Sequence, residues 1–510
     1  MKKVYALTLL VVVAFVLRAG VFLGYLSQDQ RYWLGDSATY EVLATQLATT
    51  GSFATPDGTP NAYRVPGYPL FLSTIFKVTG INHQAALWIQ IVLASFIPLL
   101  VYFLAITLLP WRPRVAWAAA SITTCHLGYI LYSGFMMTET LFILCFLLFL
   151  IPFCKAVLRA DAEVKTCFQP DPCTTQQDSN RFYNLLTINP AAKGSGFVQF
   201  YDELLDTDVA YACCARNPEQ SEGLNIFFAG LMLGAASLIR PVGHYLLIIA
   251  ILVLFSAGSY RLKQFAECGL LGFGWFVVVG GWLLRNALLF GHVFFHTLPG
   301  GHFLYLSAAR VVAAEQQISY QDARTQLRSI ISERHATQAA KIGRQLNTYE
   351  SCKIHEQLAI QVFKTAPLTS MKIWLQDMFR ATFSLYSAEL LYLDSGRQGI
   401  DYFATNRPMS NWFTRYLNPD TDKSWLKSVI WTEIVFHFFL LLGAMLFCIQ
   451  ALLGQSQRIK KLLWITMPFV ILFIVISLAG GYARMRLPME FLLVIMACAT
   501  IAPHREKSHN

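Results

Sequence analysis

Apolar residues run along this chain in long unbroken stretches separated by short polar ones, the pattern of repeated bilayer crossings rather than of a core wrapped by an aqueous surface. A spanning helix needs ~20 mostly apolar residues and satisfies its backbone polar groups internally. Ten runs approach or reach that length, near 5–26, 85–109, 115–132, 138–157, 223–239, 242–257, 266–284, 429–452, 462–479 and 486–502. They predict an all-α polytopic membrane protein with about ten transmembrane helices. The first run follows MKK but extends past signal-peptide length without a small-residue cleavage site, so it reads as a retained span.

The polar stretches between the runs divide the chain further. Residues 1–157 hold the N-terminal spans and a first outer loop, 27–84; 158–222 form a cytoplasmic insertion. Residues 223–284 are central spans, 285–428 an outer helical region, and 429–510 the C-terminal spans and a short tail. In the first outer loop Tyr40, Leu43, Ala44 and Leu47 recur at three- and four-residue spacing. That spacing predicts a short amphipathic helix lying on the membrane, with Asp36 at its start, where a carboxylate also caps. Helical periodicity returns through 315–346 and 355–379, where the charges read as a solvated face.

Composition sharpens this picture. The 510 residues are 55% hydrophobic and 14% charged, too apolar for an ordinary soluble enzyme. The net charge of +10 is largely a topology signal. With Lys2 and Lys3 inside, strict alternation brings Arg112 and Arg114, Lys155 and Arg159, and Arg261 and Lys263 to the same side. Arg458, Lys460 and Lys461, then Arg505 and Lys507, follow them there. Both termini are expected in the cytoplasm, and nucleic acid is not needed to explain the basic charge. Of the eleven cysteines only Cys352 faces out; Cys167, Cys173, Cys213 and Cys214 fall in the cytoplasmic insertion, so no external disulfide framework is expected. No Walker-type loop, dinucleotide fingerprint or internal repeat is present, which argues against an ATP motor in this chain.

Candidate chemistry collects at the outer ends of the spans: Asp36, Arg64, Glu139, Arg240, Arg285, Asn286, Tyr482, Arg484 and Arg486. A charge in hydrocarbon costs ~2.5–3.5 kcal/mol on insertion scales. Any one arginine can be an interfacial anchor whose long stem snorkels to the headgroups. The set runs against the positive-inside trend and points to an outward anionic ligand, phosphate above all, because guanidinium pairs with it bidentately. The stretch YRVPGYP at 63–69 adds rigidity: its prolines restrict the backbone around Arg64, and Gly67 permits a turn there.

These residues also carry a family resemblance. GDSATYEVLATQL followed by YRVPGYPLFLSTIF resembles the first outer loop of bacterial GT-C glycosyltransferases of the dolichyl-phosphate-mannose-protein mannosyltransferase-like class, relatives of the aminoarabinose transferase of lipid A. MMTETLFIL, SLIRPVG, GWLLRNALLFGHVFFHTLPGGHFLYL and YARMRLPMEFLLVIMA follow in the family's order. The resemblance implies a polytopic enzyme of the bacterial inner membrane, its site facing the periplasm. It would pass a sugar from a polyprenyl-phosphate donor to a lipid, glycan or protein acceptor. The family's acidic first-loop position falls on Asp36, as catalytic base. Its donor-phosphate contacts fall on Arg64, Arg285 and Arg484 or Arg486. Glu139, Arg240 and Asn286 are acceptor or supporting candidates.

One carboxylate and one attacking hydroxyl predict inversion at the anomeric carbon, while a set arginine stabilises charge growing on the leaving phosphate. Asp29 and Glu41 are rivals for the base, and a helix cap is the plain alternative for Asp36 and for Glu139. Some relatives bind a divalent metal, and His292, His296 and His302 are weak candidates to hold one. The glutamate that aminoarabinose transferases place before the basic residue is replaced here, in the run Ala62, Tyr63, Arg64, which argues against aminoarabinose chemistry and a required metal. Two further readings remain. A lipid-sugar flippase or transporter would place its polar groups nearer the midplane. A surface-polysaccharide polymerase or ligase would use a similar donor.

Overall fold

The structure is a computed structural model, and it describes residues 2–166, 218–257, 261–394, 421–454, 456–476 and 482–501. Most of the 158–222 insertion, with its four cysteines, lies outside the described residues, as do Arg505 and Lys507. Within them the chain is all-α, with no named strand and a single isolated bridge between Ala54 and Pro60.

The first half comprises α1 (Lys2–Val21), α2 (Ser37–Thr50), α3 (Gly67–Thr79), α4 (His83–Ala94), α5 (Ile97–Leu108), α6 (Pro113–Cys125), α7 (Leu127–Gly134) and α8 (Glu139–Thr166). The centre holds α9 (Pro218–Ile239), α10 (Gly243–Ala257) and α11 (Arg261–Phe290). The outer region follows with α12 (Leu298–His302), α13 (Ala309–Gln316), α14 (Tyr320–Ile342), α15 (Thr348–Thr365), α16 (Pro367–Phe383) and α17 (Ser387–Asp394). Last come α18 (Ser424–Leu453), α19 (Gln457–Val475), α20 (Ala483–Arg486) and α21 (Glu490–Ile501).

Among the described residues five helices are long and apolar enough to cross a membrane: Lys2–Leu26, His83–Leu108, Glu139–Arg159, Leu262–Phe290 and Ser424–Leu453. Gly223–Ile239 and Gly243–Ser256 are shorter apolar helices. Their outer faces stay apolar, as at Phe273, Phe276, Phe438 and Phe439, each more than half exposed. Such faces suit acyl chains, and the protein is a multi-pass membrane protein.

The run at 115–132 departs from the expected continuous span. The chain leaves helical geometry at His126 (φ −68°, ψ 119°), which divides α6 from α7. The break turns the buried His126 ring toward Glu490 in α21, 3.4 Å from its Oε1.

Helices pack closely where small residues let backbones meet. A Cβ on Gly230 of α9 would lie 2.3 Å from the Leu271 carbonyl oxygen of α11, and one on Gly274 would lie 2.4 Å from that of Phe227. Gly67 serves the same purpose. A Cβ there would come within 2.6 Å of the Leu238 carbonyl oxygen, so close approach to the end of α9, not an unusual turn, is what calls for glycine. This contact brings the loop carrying Arg64 beside the helix end that leads into Arg240.

The apolar positions of the first outer loop's helix face the protein. Tyr40, Leu43 and Ala44 of α2 are buried, and the helix packs on α3.

Candidate functional site

The first outer loop, the start of α8, the residue that follows α9 and α20 meet through charged side chains. Asp36 occupies the cap position of α2 but makes no side-chain cap bond. Its carboxylate is held across the fold instead. Arg64 donates from Nη2 to Oδ1 at 2.5 Å, and Arg484 donates from Nη1 to Oδ2 at 2.9 Å. The two arginines are separated by most of the chain. Asp36 nonetheless keeps 31% of its side chain exposed, against 12% for Arg64 and 20% for Arg484.

Each arginine is set in place by its surroundings. Asn61 Oδ1 accepts from the Tyr63 and Arg64 backbone N–H groups at 3.1 and 3.2 Å, which turns the loop. The Arg64 guanidinium lies 5.0 Å from the Tyr40 ring centre and 5.1 Å from that of Tyr63, and donates to the Tyr40 hydroxyl at 3.4 Å. Arg484 also donates from Nε to Glu139 Oε1. Glu139 is fully buried, and Arg240 Nη1 approaches the same oxygen at 3.2 Å.

The result is a continuous chain, Arg64–Asp36–Arg484–Glu139–Arg240, with three positive groups and two negative, hence one positive charge in surplus. Glu139 Oε2, Arg64 Nε and Arg240 Nη1 are buried without a hydrogen-bond partner. Nearby, Tyr132 donates to Glu389 Oε1 at 2.9 Å, and burial pushes the Glu389 carboxyl up, toward its neutral form. No sequence pattern marks Glu389; its partner lies 257 positions away.

Burial alone would raise the Asp36 carboxyl too. Arg484 and then Arg64 outweigh it and hold Asp36 well below the usual carboxylate range. At rest Asp36 is a permanent anion and a weak base. Arg484 is raised well above its ordinary value despite burial, chiefly through Glu139 and Asp36.

The other expected site residues are placed elsewhere. Arg285 faces the first outer loop, donating from Nη1 to Asn61 O at 3.0 Å and from Nη2 to Phe53 O at 2.9 Å while stacking over Trp282. Asn286 is buried, accepts from Arg285 and donates to Phe294 O at 3.0 Å. Arg486 is 1% exposed. Its guanidinium is spent on Glu490 at 2.7 Å and on the carbonyls of Ala381, Thr382 and Ser384 at 2.6, 2.7 and 3.0 Å. Asp29 and Glu41, the rival bases, pair with Arg31 and His83.

The three histidines diverge. His292 stacks on Tyr349, His296 approaches His244 at 5.7 Å between ring centres, and His302 packs edge-on to Tyr63. Burial brings His296 down to about 3 and, with Arg64 beside it, His302 down to about 4, so both are neutral near pH 7. Among the described residues no three His, Cys, Asp or Glu side chains converge as a metal site.

No family model and no curated protein matches the chain. Three solved structures of the oligosaccharyltransferase of Archaeoglobus fulgidus are similar to it. The form named AglB, in complex with an inhibitory peptide and a dolichol-phosphate, shares 13% identity at a TM-score of 0.47. The apo form shares 13% at 0.46, and the form tethered to an acceptor peptide 12% at 0.46. The matches cover 97–98% of this chain and 49–50% of theirs, so it spans about half the length of the proteins it matches. At that similarity the likeness says nothing of chemistry.

Proposed function

We propose that the chain is an inverting membrane glycosyltransferase that moves a sugar from a polyprenyl-phosphate donor to a hydroxyl of a lipid, glycan or protein acceptor, on the periplasmic face of a bacterial inner membrane. The observation that carries this reading is Asp36, gripped on both oxygens by arginines from distant segments and still one-third exposed. The sequence resemblance supplies the donor class. The surplus positive charge suits a phosphodiester, which carries one negative charge.

The grip suggests how the site works. A phosphate competes with Asp36 for Arg64 and Arg484, because guanidinium binds either oxyanion. Donor binding thus loosens Asp36 and raises its basicity just when a base is needed. The acceptor oxygen then bonds to the anomeric carbon, its proton passes to Asp36, and the anomeric carbon–oxygen bond to phosphate breaks. The lipid phosphate leaves as a dianion beside two arginines, which bind it more tightly than the ground-state diester. Glu139 holds Arg484, and Arg240 holds Glu139 in turn. Arg285, Asn286 and Arg486 take supporting parts in this reading, since their polar groups are engaged with the protein.

A transporter would need such a cluster near the middle of its spans. Here Glu139 begins α8, Arg240 follows α9 and Asp36 precedes α2, so the charges lie at helix ends.

The test uses membranes containing the full chain or its Asp36→Asn variant, with a panel of labelled polyprenyl-phosphate sugars and an envelope extract as acceptor. Transfer by the wild type and its loss in a folded Asp36→Asn protein are expected. Undiminished transfer by the variant removes Asp36 as the base, and no transfer by the wild type from any donor sinks the reading.

A further inference from the structure

α16 turns the usual amphipathic arrangement inside out. Leu368, Met371, Leu375, Phe379 and Phe383 recur every three or four residues along it, and their exposures run from 83% at Leu368 to 42% at Phe383. The charged group on its opposite face is hidden: Asp377 is fully buried and takes a bidentate pair from Arg310 at 2.7 and 2.5 Å. A helix washed by water would present Asp377 and bury the phenylalanines. With Lys372, Asp377 and Arg380 within its 17 residues, α16 is also too short and too polar to cross a bilayer.

Two tethers fix its depth. Trp374 Nε1 donates to Val475 O at 3.3 Å, at the end of α19, and His437 Nε2 of α18 lies 2.8 Å from Thr382 O. Counted along the helix axes from their far ends at Gln457 and Leu453, these points stand roughly 27 and 24 Å away. A hydrocarbon layer is about 30 Å thick, so both tethers fall near its boundary. Beside them the spans show exposed apolar groups: Ile471 one turn from Val475, and Val435, Phe438 and Phe439 around His437. The stripe on α16 continues that belt.

We infer that α16 lies within the leaflet at the Asp36 end of the bundle, its apolar stripe in contact with acyl chains and the exposed Lys372 reaching to the headgroups. Along one border of the stripe, Met371 and the neighbouring Trp374 line a cavity of about 680 Å³ together with Phe303, Tyr245 and Ile360. α16 is then the partition between that cavity and the bilayer. This inference rests on the helix and its tethers and is independent of the catalytic reading.

The unaltered protein tests it. The full chain is placed in nanodiscs containing a phospholipid with a photoactivated diazirine in its acyl chain, then digested and sequenced by mass spectrometry. In parallel, hydroxyl radicals generated in water oxidise whatever the solvent reaches. Lipid adducts on the peptide 373–380 in excess of those on 335–341, an exposed polar part of α14, together with weaker oxidation of 373–380, are expected. Adducts on 373–380 no more abundant than on 335–341 overturn the inference. Strong oxidation would then mean a water-washed face, and none a face covered by protein.

Discussion

Arg484 and Arg486 stand two residues apart in α20, and their guanidinium groups enter different surroundings. Arg486 meets Glu490, three backbone carbonyls and the Tyr386 ring, in a pocket that includes His126 and His437 and excludes water. Arg484 meets Asp36 and Glu139 in a chain of charges that reaches the surface at Asp36, with Arg64 Nε, Arg240 Nη1 and Glu139 Oε2 unmatched. Every nitrogen of the Arg486 guanidinium is engaged, as a buried cation must be to offset its desolvation, while Glu490 Oε1 and His126 Nδ1 beside it lack a hydrogen-bond partner. The Arg484 cluster carries a charge in surplus. On the proposed function, Arg484 and Arg486 differ in the number of donors already engaged, not in the sign or the depth of the charge.

Substituting one carboxylate in each cluster should break this comparison if it is wrong. Asp36→Asn is expected to lower turnover by about 10²–10⁴-fold, the usual range for a lost general base. Its thermal midpoint should stay near the wild-type value, because water reaches Asp36 and solvates the released arginines. Glu490→Gln should do the reverse. It leaves Arg486 charged and buried against a neutral partner, at a cost of about 3–5 kcal/mol, read as a lower melting temperature in detergent or nanodiscs. Protein that remains folded should retain turnover. Equal losses of activity and stability in both variants would dissolve the distinction between the clusters.

Arg64→Ala sharpens the active half. Losing a charge-assisted contact to phosphate should reduce kcat/KM for the donor by about ten- to a hundredfold. It should also move the pH profile. Asp36 is depressed by two arginines, so its ionised form persists far into acid, and activity that needs the anion is lost only as pH falls through that low value. Without Arg64 the carboxyl rises, and the acid limb of kcat/KM should move to higher pH. An unmoved limb would mean that Arg64 does not set the charge state of Asp36.

Much of this was legible in the residues and some of it could not be. That Asp36 and Arg64 share a rigid loop follows from the prolines of YRVPGYP, and their direct contact needed only the fold of α2 on α3. Choosing Arg484 over Arg486 was beyond the sequence. Side chains two apart on a helix point about 200° from each other, and hydropathy treats both alike. Glu389 was invisible because its meaning comes from Tyr132, far away along the chain. The break at His126 was hidden in an apolar run whose periodicity stays helical on both sides. In α16 the apolar repeat is plain, but its charges suggested a solvated face; only packing reveals that Asp377 turns inward and the stripe outward.

Arg285→Lys is the smallest of the expected effects and the most telling about how the loop is held. Arg285 bridges the Asn61 and Phe53 carbonyls and sits over the Trp282 ring at 4.7 Å from its centre, and Asn61 in turn fixes the backbone of Arg64. Lysine keeps the charge but not the planar fork, so it can hold one carbonyl at a time and cannot stack in the same way. The loop would loosen, and Arg64 would meet the phosphate in a broader range of positions. A loss of several-fold in kcat/KM for the donor is expected, about 1 kcal/mol, with the acid limb of the profile unmoved because the charges on Asp36 are unchanged. If Arg285 instead touches the donor phosphate directly, lysine should preserve most of the affinity, Arg285→Ala should lose about as much as Arg64→Ala, and the melting temperature of the alanine variant should not fall.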